Sequence, residues 1–304
     1  MVDTIKLILD KGMFVITNVG LFQKDTMNAT RGYFVLVQNP TKSELERGIY
    51  KPRLTLTKRF NCTGRFEPTL TIELSLPKLL FGNNFDELKN KDIVAVTDKL
   101  KTRLKEMGVR VWDHSLIEAP VSAIHYSKNI QLTDGLTSHY LISKIRDANI
   151  SLSLDVNQTD YRNDGCSYKW HANSYEVAFY DKIHDLGKAR VSEKRAIEKD
   201  IALQLNLFES LPEIRKFEVL RMEARLNSRQ KIKQLFHALG ITKELTYKNL
   251  FDRSISQKVL LYYFDLMEGQ RPVILDYKTS SPKALLDDLA INNPKLGPKR
   301  TLQV

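Results

Sequence analysis

The sequence predicts an α+β protein, with an antiparallel sheet core, helices packed on one face, and two similar α+β halves in succession. Three observations carry this. Short β-branched or alternating segments fill residues 1–76, a helical spacing of three to four takes over after them, and a second run of strands with interposed helices begins near residue 119. The order has neither the strict alternation of a βαβ fold nor the even strand spacing of a sandwich.

In the first half, "TIKLILD" (4–10), "MFVIT" (13–17), "YFVLVQ" (33–38), "RLTLTKRF" (53–60) and "LTIELSL" (70–76) read as strands separated by Gly, Asn or Pro. Pro77 stands where a first helical turn begins, and Leu88, Ile93, Val96, Leu100, Leu104 and Met107 mark an amphipathic helix from Phe85 to Met107, ended by Gly108. The second half gives a strand at 119–130, a helix at 137–147, strands at 165–170 and 174–182, a charged helix-prone stretch at 186–204, a strand at 214–226 and a helix at 228–240 closed by Gly240. Residues 241–289 read as helical and the last stretch, "NNPKLGPKRTLQV", as a polar basic tail. The expected division is therefore 1–240 as the main domain and 241–304 as a C-terminal helical extension and basic tail, the helical part being either a regulatory or partner-binding extension or a cap over the sheet.

At 304 residues the chain can bury a sizeable core, and 47 Lys and Arg against 36 Asp and Glu leave a formal charge of +11. That excess points to a polyanionic partner. Cys62 and Cys166 are too few for a disulfide scaffold and stand outside any zinc-type cluster, which favours a reducing cytosol. Asp3, Lys6, Asp10 and Lys11 interrupt the apolar residues of the first segment, so it reads as neither a signal peptide nor a membrane span. The phosphate loop GxxxxGK[ST], the dinucleotide fingerprint GxGxxG, the elbow GxSxG and the zinc helix HExxH are all missing, which removes the usual nucleotide and serine hydrolases.

What remains is a set of strands on which ionisable residues stand beside aromatic ones. In "SYEVAFYDK", strand alternation puts Glu176, Ala178, Tyr180 and Lys182 on one face. Tyr180 is then either an ordinary strand tyrosine or a phenol standing between a carboxylate and an ammonium, the setting a tyrosine nucleophile needs. In "FEVLRMEARLN", Arg221, Glu223 and Arg225 alternate with Leu220, Met222, Ala224 and Leu226. This row is either a solvated face with weak ion pairs or a carboxylate ligand flanked by two phosphate-binding arginines. Glu73 interrupts "LTIELSL" and His125 sits inside "SAIHYSKNI". Each is a satisfied half-buried residue, or joins Glu223 in a site with the nitrogen and oxygen donors that suit Mg²⁺ or Mn²⁺.

Taken together, "LTIELSLPKLLFGNNFDEL" (70–88), "VSAIHYSKNI" (121–130), "NSYEVAFYDKIHDL" (173–186) and "LRMEARLNSRQKIK" (220–233) resemble, in order and spacing, the filamentous-phage gene II and X replication-initiation family. The last segment also resembles plasmid rolling-circle initiators, which are related to HUH endonucleases. The resemblance spans roughly residues 70–240 and implies an HUH-like initiator architecture with a site-specific DNA nickase and ligase for rolling-circle replication. The tyrosine matched by Tyr180 would attack a backbone phosphate, leaving a 5′-phosphotyrosyl link and a free 3′-OH primer, with Lys182 two positions on. Glu73 and Glu223 fall on acidic positions of the family and, with His125, would hold Mg²⁺ or Mn²⁺. Arg221 and Arg225, with Lys78 and Lys128, would contact DNA phosphates, and Tyr126 or Phe179 would stack bases.

Two departures stand out. Ala123, Ile124 and His125 replace the "RID" that relatives often carry, and the His-x-His pair that names the HUH class is absent, with His171-Ala172-Asn173 its nearest echo. The implied partners are single-stranded or hairpin origin DNA, a host helicase and a host DNA polymerase, in a bacterial cytoplasm and with no membrane; monomer and homodimer both stay open. The competing readings are an origin-binding protein of the same fold that does not cut DNA, and a metal-dependent nuclease that uses water and has no need of Tyr180.

Overall fold

Alternation along the strands decides the architecture. In β1 (Val2–Leu9), Ile5, Leu7 and Leu9 are buried while Thr4, Lys6 and Ile8 are partly exposed, so the strand has one apolar and one polar side. The computed structural model describes residues 1–24, 33–41, 43–44, 47–60, 66–133, 136–147, 158–162, 165–189 and 218–266. Among these residues the strands after β1 are β2 (Phe14–Ile16), β3 (Gln23–Lys24), β4 (Tyr33–Gln38), β5 (Arg53–Phe60), β6 (Phe66–Ser75), β7 (Val109–Val111), β8 (Val121–Leu132), β9 (Gln158–Arg162), β10 (Ser167–Ala172), β11 (Tyr175–Asp181) and β12 (Glu218–Leu226). The α-helices are α1 (Leu76–Phe81), α2 (Ile93–Glu106), α3 (Asp113–Ile117), α4 (Ser138–Asp147), α5 (Lys182–Ala189), α6 (Arg229–Ala238), α7 (Tyr247–Leu250) and α8 (Arg253–Asp265).

Ten strands form one sheet in the order β3-β4-β5-β6-β1-β8-β12-β11-β10-β9, and each pairing in it is antiparallel. The fold is thus α+β with a large antiparallel sheet. The two runs of strands meet edge to edge at β1 and β8, so they share a single sheet. β2 and β7 pair separately as a short ribbon.

Register carries the alternation from strand to strand. Leu54 pairs with Ile72, Ile72 with Leu7, Ile5 with Ile124, Ile124 with Leu226, and Leu226 with Tyr175. All of these side chains are buried, and together they make one apolar face. Helices cover it: the Tyr126 hydroxyl donates to the carbonyl of Leu250 at the end of α7, and the Tyr175 ring stacks on Tyr263 of α8 at 5.4 Å between centroids. The opposite face carries the polar and charged residues.

The elements follow the sequence reading, and three points are informative. The expected helix at Phe85–Met107 starts only at Ile93, because Asn83 and Asp92 offer the backbone other partners. Asn83 Oδ1 accepts from the amides of Phe85 and Asp86, and Asp92 Oδ2 accepts from that of Lys89. Gly82, with φ of +77°, closes α1 and turns the chain into this loop. The second point is at residue 240: of the two readings of the segment beyond it, a partner-binding extension or a cap over the sheet, the chain shows the cap, with Tyr247, Leu250, Ile255, Val259 and Tyr263 buried in the core. Up to Leu266 this segment is a cap over the sheet; the helical expectation for 267–289, the basic tail, and most of 186–217 lie outside the described residues. Third, Tyr126 and Phe179 face the core, 0% and 1% exposed, so neither is placed to stack a DNA base.

Among the described residues no helix is long and apolar enough to cross a membrane. The capping role of α8 makes a direct prediction. Tyr263→Ala removes a ring that closes the apolar face and lowers unfolding stability by about 3 kcal/mol; denaturant titration checks this, and a loss below about 1 kcal/mol would contradict the packing described.

Candidate functional site

The polar face of β12 is a row of Arg221, Glu223 and Arg225, flanked in register by Asn129, Ser127 and His125 of β8 on one side and by Tyr180, Ala178 and Glu176 of β11 on the other. Strand parity alone brings these residues together, since partners opposite one another in an antiparallel pair share a face. Arg221 and Glu223 are nonetheless only 2% exposed, so the row is a buried charge network and not a solvated face.

Arg221 is held by four groups. Its Nη1 donates to the Asn84 carbonyl at 2.8 Å and to Asn129 Oδ1 at 3.2 Å, and its Nη2 donates to Ser127 Oγ at 2.8 Å and pairs with Asp3 Oδ2 at 3.1 Å. Asp3 reaches this face because the β1–β8 register shifts between Val2 and Thr4. Arg225 bridges two carboxylates, with Nη1 2.7 Å from Glu176 Oε1 and Nη2 2.9 Å from Glu223 Oε2. Glu176 also pairs with His171 Nδ1 at 3.0 Å. The expected phosphate-binding arginines thus spend these donors inside the protein, Arg221 most completely.

Tyr180 is half-buried and donates its hydroxyl to Glu223 Oε2 at 3.3 Å. Burial raises the phenol well above its ordinary value, and neighbouring Arg221 only partly opposes this. Burial also pushes the Glu223 carboxyl up, but the Arg225 and Arg221 guanidiniums outweigh it and hold the group well below the usual carboxylate range. Lys182, the first residue of α5, is wholly buried; its Nζ donates to Asn84 Oδ1 at 2.9 Å and sits 5.8 Å from the centre of the Tyr180 ring. Burial, reinforced by Arg221, lowers its ammonium to about 8.

The loop after α1 closes this end of the site. The Ser127 amide of β8 donates to the Met1 carbonyl, and past this point the β8 edge takes its partners from the loop. Glu87 supplies them, accepting from the Asn129 amide through Oε1 at 2.6 Å and pairing with Lys128 through Oε2 at 2.7 Å. Lys128 falls in register with Met222, on the opposite face from Arg221, and it leaves the sheet at the rim. Lys78 lies on α1, on the stretch that leads into the same loop.

The three expected metal ligands do not come together. Glu73 sits on β6, with β1 and β8 between it and β12, a lateral separation of roughly 14 Å. It pairs instead with Lys6 at 2.9 Å. His125 is opposite Arg225, and burial, with that cation, lowers its imidazole below the ordinary value although Glu223 opposes the shift. Among the described residues there is no group of three His, Cys, Asp or Glu side chains arranged to hold a metal ion. The set therefore does not fit a divalent cation as the resemblance implied.

Sequence reasoning found Tyr180, Lys182, Glu223 and the two arginines through strand alternation, and missed Asp3, Asn84, Ser127 and Asn129. Asp3 gave one signal, a carboxylate inside an apolar strand; the loop Asn84 gave none, because only the end of β1 makes its position matter.

Two outcomes are expected. Asp3→Ala leaves a buried guanidinium without its counter-charge and lowers stability by about 3–5 kcal/mol, whereas Lys6→Ala, which breaks an ion pair whose two side chains are 38% and 43% exposed, costs less than about 1 kcal/mol. Urea melts of both variants compare them directly. Glu223 is ionised far below its unfolded value, so it supports the fold fully above about pH 4.3 and loses that support as pH falls toward its folded value. Glu223→Gln should make the decline of stability between about pH 5 and pH 2 shallower; an unchanged slope there would contradict the depressed carboxyl.

Comparison of the chain with known protein families, with characterised proteins and with solved structures finds no match to any of them.

Proposed function

We propose that the protein is a rolling-circle replication initiator of the filamentous-phage gene II and X type, which nicks and rejoins single-stranded or hairpin origin DNA through Tyr180. The observation that carries this reading is the Tyr180 hydroxyl, half-buried on a polar sheet face and 3.3 Å from a carboxylate, with the ammonium of Lys182 beside its ring. The excess of 11 positive charges suits a nucleic-acid substrate. An HUH-like architecture of two similar α+β halves, host helicase and polymerase as partners, and action in a bacterial cytoplasm belong to the same proposal.

In this mechanism Glu223 accepts the Tyr180 hydroxyl hydrogen bond and so orients the oxygen, which attacks the scissile phosphorus as its proton leaves to water at the open side of the half-buried ring. A phosphorus–oxygen bond to the tyrosine forms as the bond to the 3′-oxygen breaks. Lys182, whose burial makes its ammonium a stronger acid, protonates the leaving 3′-oxygen once Asn84 has released it. Attack by the freed 3′-OH on the phosphotyrosine reverses each step and rejoins the strand. Arg225, partly exposed, orients Glu223 and the phosphate, while Arg221 positions the row from below. A requirement for Mg²⁺ or Mn²⁺ is part of the family resemblance and is tested by chelation; no step above runs through it.

A second reading, DNA binding without cleavage, draws on different observations: the phenol is held protonated and both arginines are committed to internal pairs. Incubation with single-stranded DNA from the same replicon, with and without Mn²⁺, separates the two on a denaturing gel. A protein-linked DNA band that Tyr180→Phe abolishes is expected, with its yield falling as pH rises past about 8 because Lys182 gives up the proton it must deliver. Lys182→Met should lower the yield and flatten that fall. DNA retained in a gel shift with no adduct on competent origin DNA would leave the binding reading, and cleavage with no adduct would point to water as the nucleophile.

A further inference from the structure

The small ribbon of β2 and β7 stands apart from the main sheet and has two unlike faces. Register pairs Phe14 with Val111, Val15 with Arg110 and Ile16 with Val109. Phe14 and Val109 are buried, so Val15 and Arg110 belong to the outward face. Trp112 continues this side of the chain two residues beyond Arg110, in extended conformation with φ of −79° and ψ of 151°. It is 54% exposed and Val15 46% exposed. An exposed tryptophan is expensive to leave in water, and here it sits beside a guanidinium.

The surroundings add positive charge. Lys11 occupies the Asp10–Met13 turn at the end of the ribbon nearest Trp112, where exposed Asp10 offsets part of its charge, so Arg110 is the main cation of this face. Asp113, the acidic neighbour of Trp112, is paired with Lys101. A cationic surface with one aromatic platform is the arrangement that holds single-stranded nucleic acid, in which a base stacks on the ring and cations follow the backbone. Protein partners are the weaker fit, since a ribbon three residue pairs long offers on the order of 100–200 Å², far below the roughly 800 Å² a side of a stable protein interface.

We propose that the outward face of the β2–β7 ribbon is a single-stranded nucleic-acid contact in which Trp112 stacks on a base and Arg110, with Lys11, binds the flanking phosphates. The contact is separate from the Tyr180 row, and its occupation requires no chemistry there.

The chain supplies its own probe, because it has two tryptophans and the other, Trp170, is 0% exposed. Titrating the full-length protein with a fluorescein-labelled single-stranded oligodeoxynucleotide at low salt, while following both tryptophan emission and fluorescein anisotropy, reads the contact directly. Expected are quenching that saturates together with the anisotropy, loss of quenching in Trp112→Phe, and binding about tenfold weaker in Trp112→Ala. Arg110→Gln should reduce the slope of log affinity against log salt by about one. Unchanged thermal melts show that these exposed substitutions leave the fold intact. Binding without quenching, a Trp112→Ala variant that binds like the parent, or no binding at low salt would each overturn the proposal, as would self-association by sedimentation that Trp112→Ala abolishes. Formation of the Tyr180 adduct is scored separately: adduct without Trp112 quenching sinks this contact alone, and quenching without adduct sinks the strand-transfer reading alone.

Discussion

The guanidinium of Arg221 has been taken almost wholly out of water, and much of the molecule is arranged to satisfy it. A buried cation is tolerated only when its donors are filled and its charge is matched. The four partners come from three places in the chain: Asp3 at the start of β1, Asn84 in the loop after α1, and Ser127 and Asn129 on β8. Pairing β1 with β8, bending β1 by one residue and folding the loop back over the β8 edge are therefore parts of one electrostatic solution.

That solution has consequences along the row. With Arg221 fixed, Glu223 lies between two guanidiniums and stays ionised even though it is buried, and its free lone pairs accept the Tyr180 hydroxyl. The tyrosine is thereby oriented and kept protonated at once. Lys182 shows the same economy on the other side, an ammonium made more acidic by burial and held by a loop asparagine.

The ion pairs of the sheet are not equivalent, and exposure is what separates them. Lys6 and Glu73 stand in solvent, where water screens the attraction and side-chain entropy offsets most of it. Arg225 with Glu223 and Arg221 with Asp3 lie where water is scarce, so removal of one partner strands a charge. Lys128 and Glu87 are about as exposed as Lys6 and Glu73, and they close the rim of the sheet more than stabilise it.

Strand alternation was legible in the sequence, and with it the α+β class, the apolar face and the grouping of Tyr180 with Glu176 and of Arg221 with Glu223 and Arg225, because side chains in a strand alternate by covalent geometry alone. Loops and long-range pairings were not. The start of α2 was displaced by side chain to backbone bonds from Asn83 and Asp92, a local competition that apolar spacing does not register. Glu73 and Glu223 look alike in sequence, two carboxylates inside apolar strands, yet only the strand order reveals that β1 and β8 stand between them. Which residues share a face is written into each strand by itself; which strands are neighbours, and so which charges meet and which are buried, was decided only when burial of the apolar face set the order of the sheet.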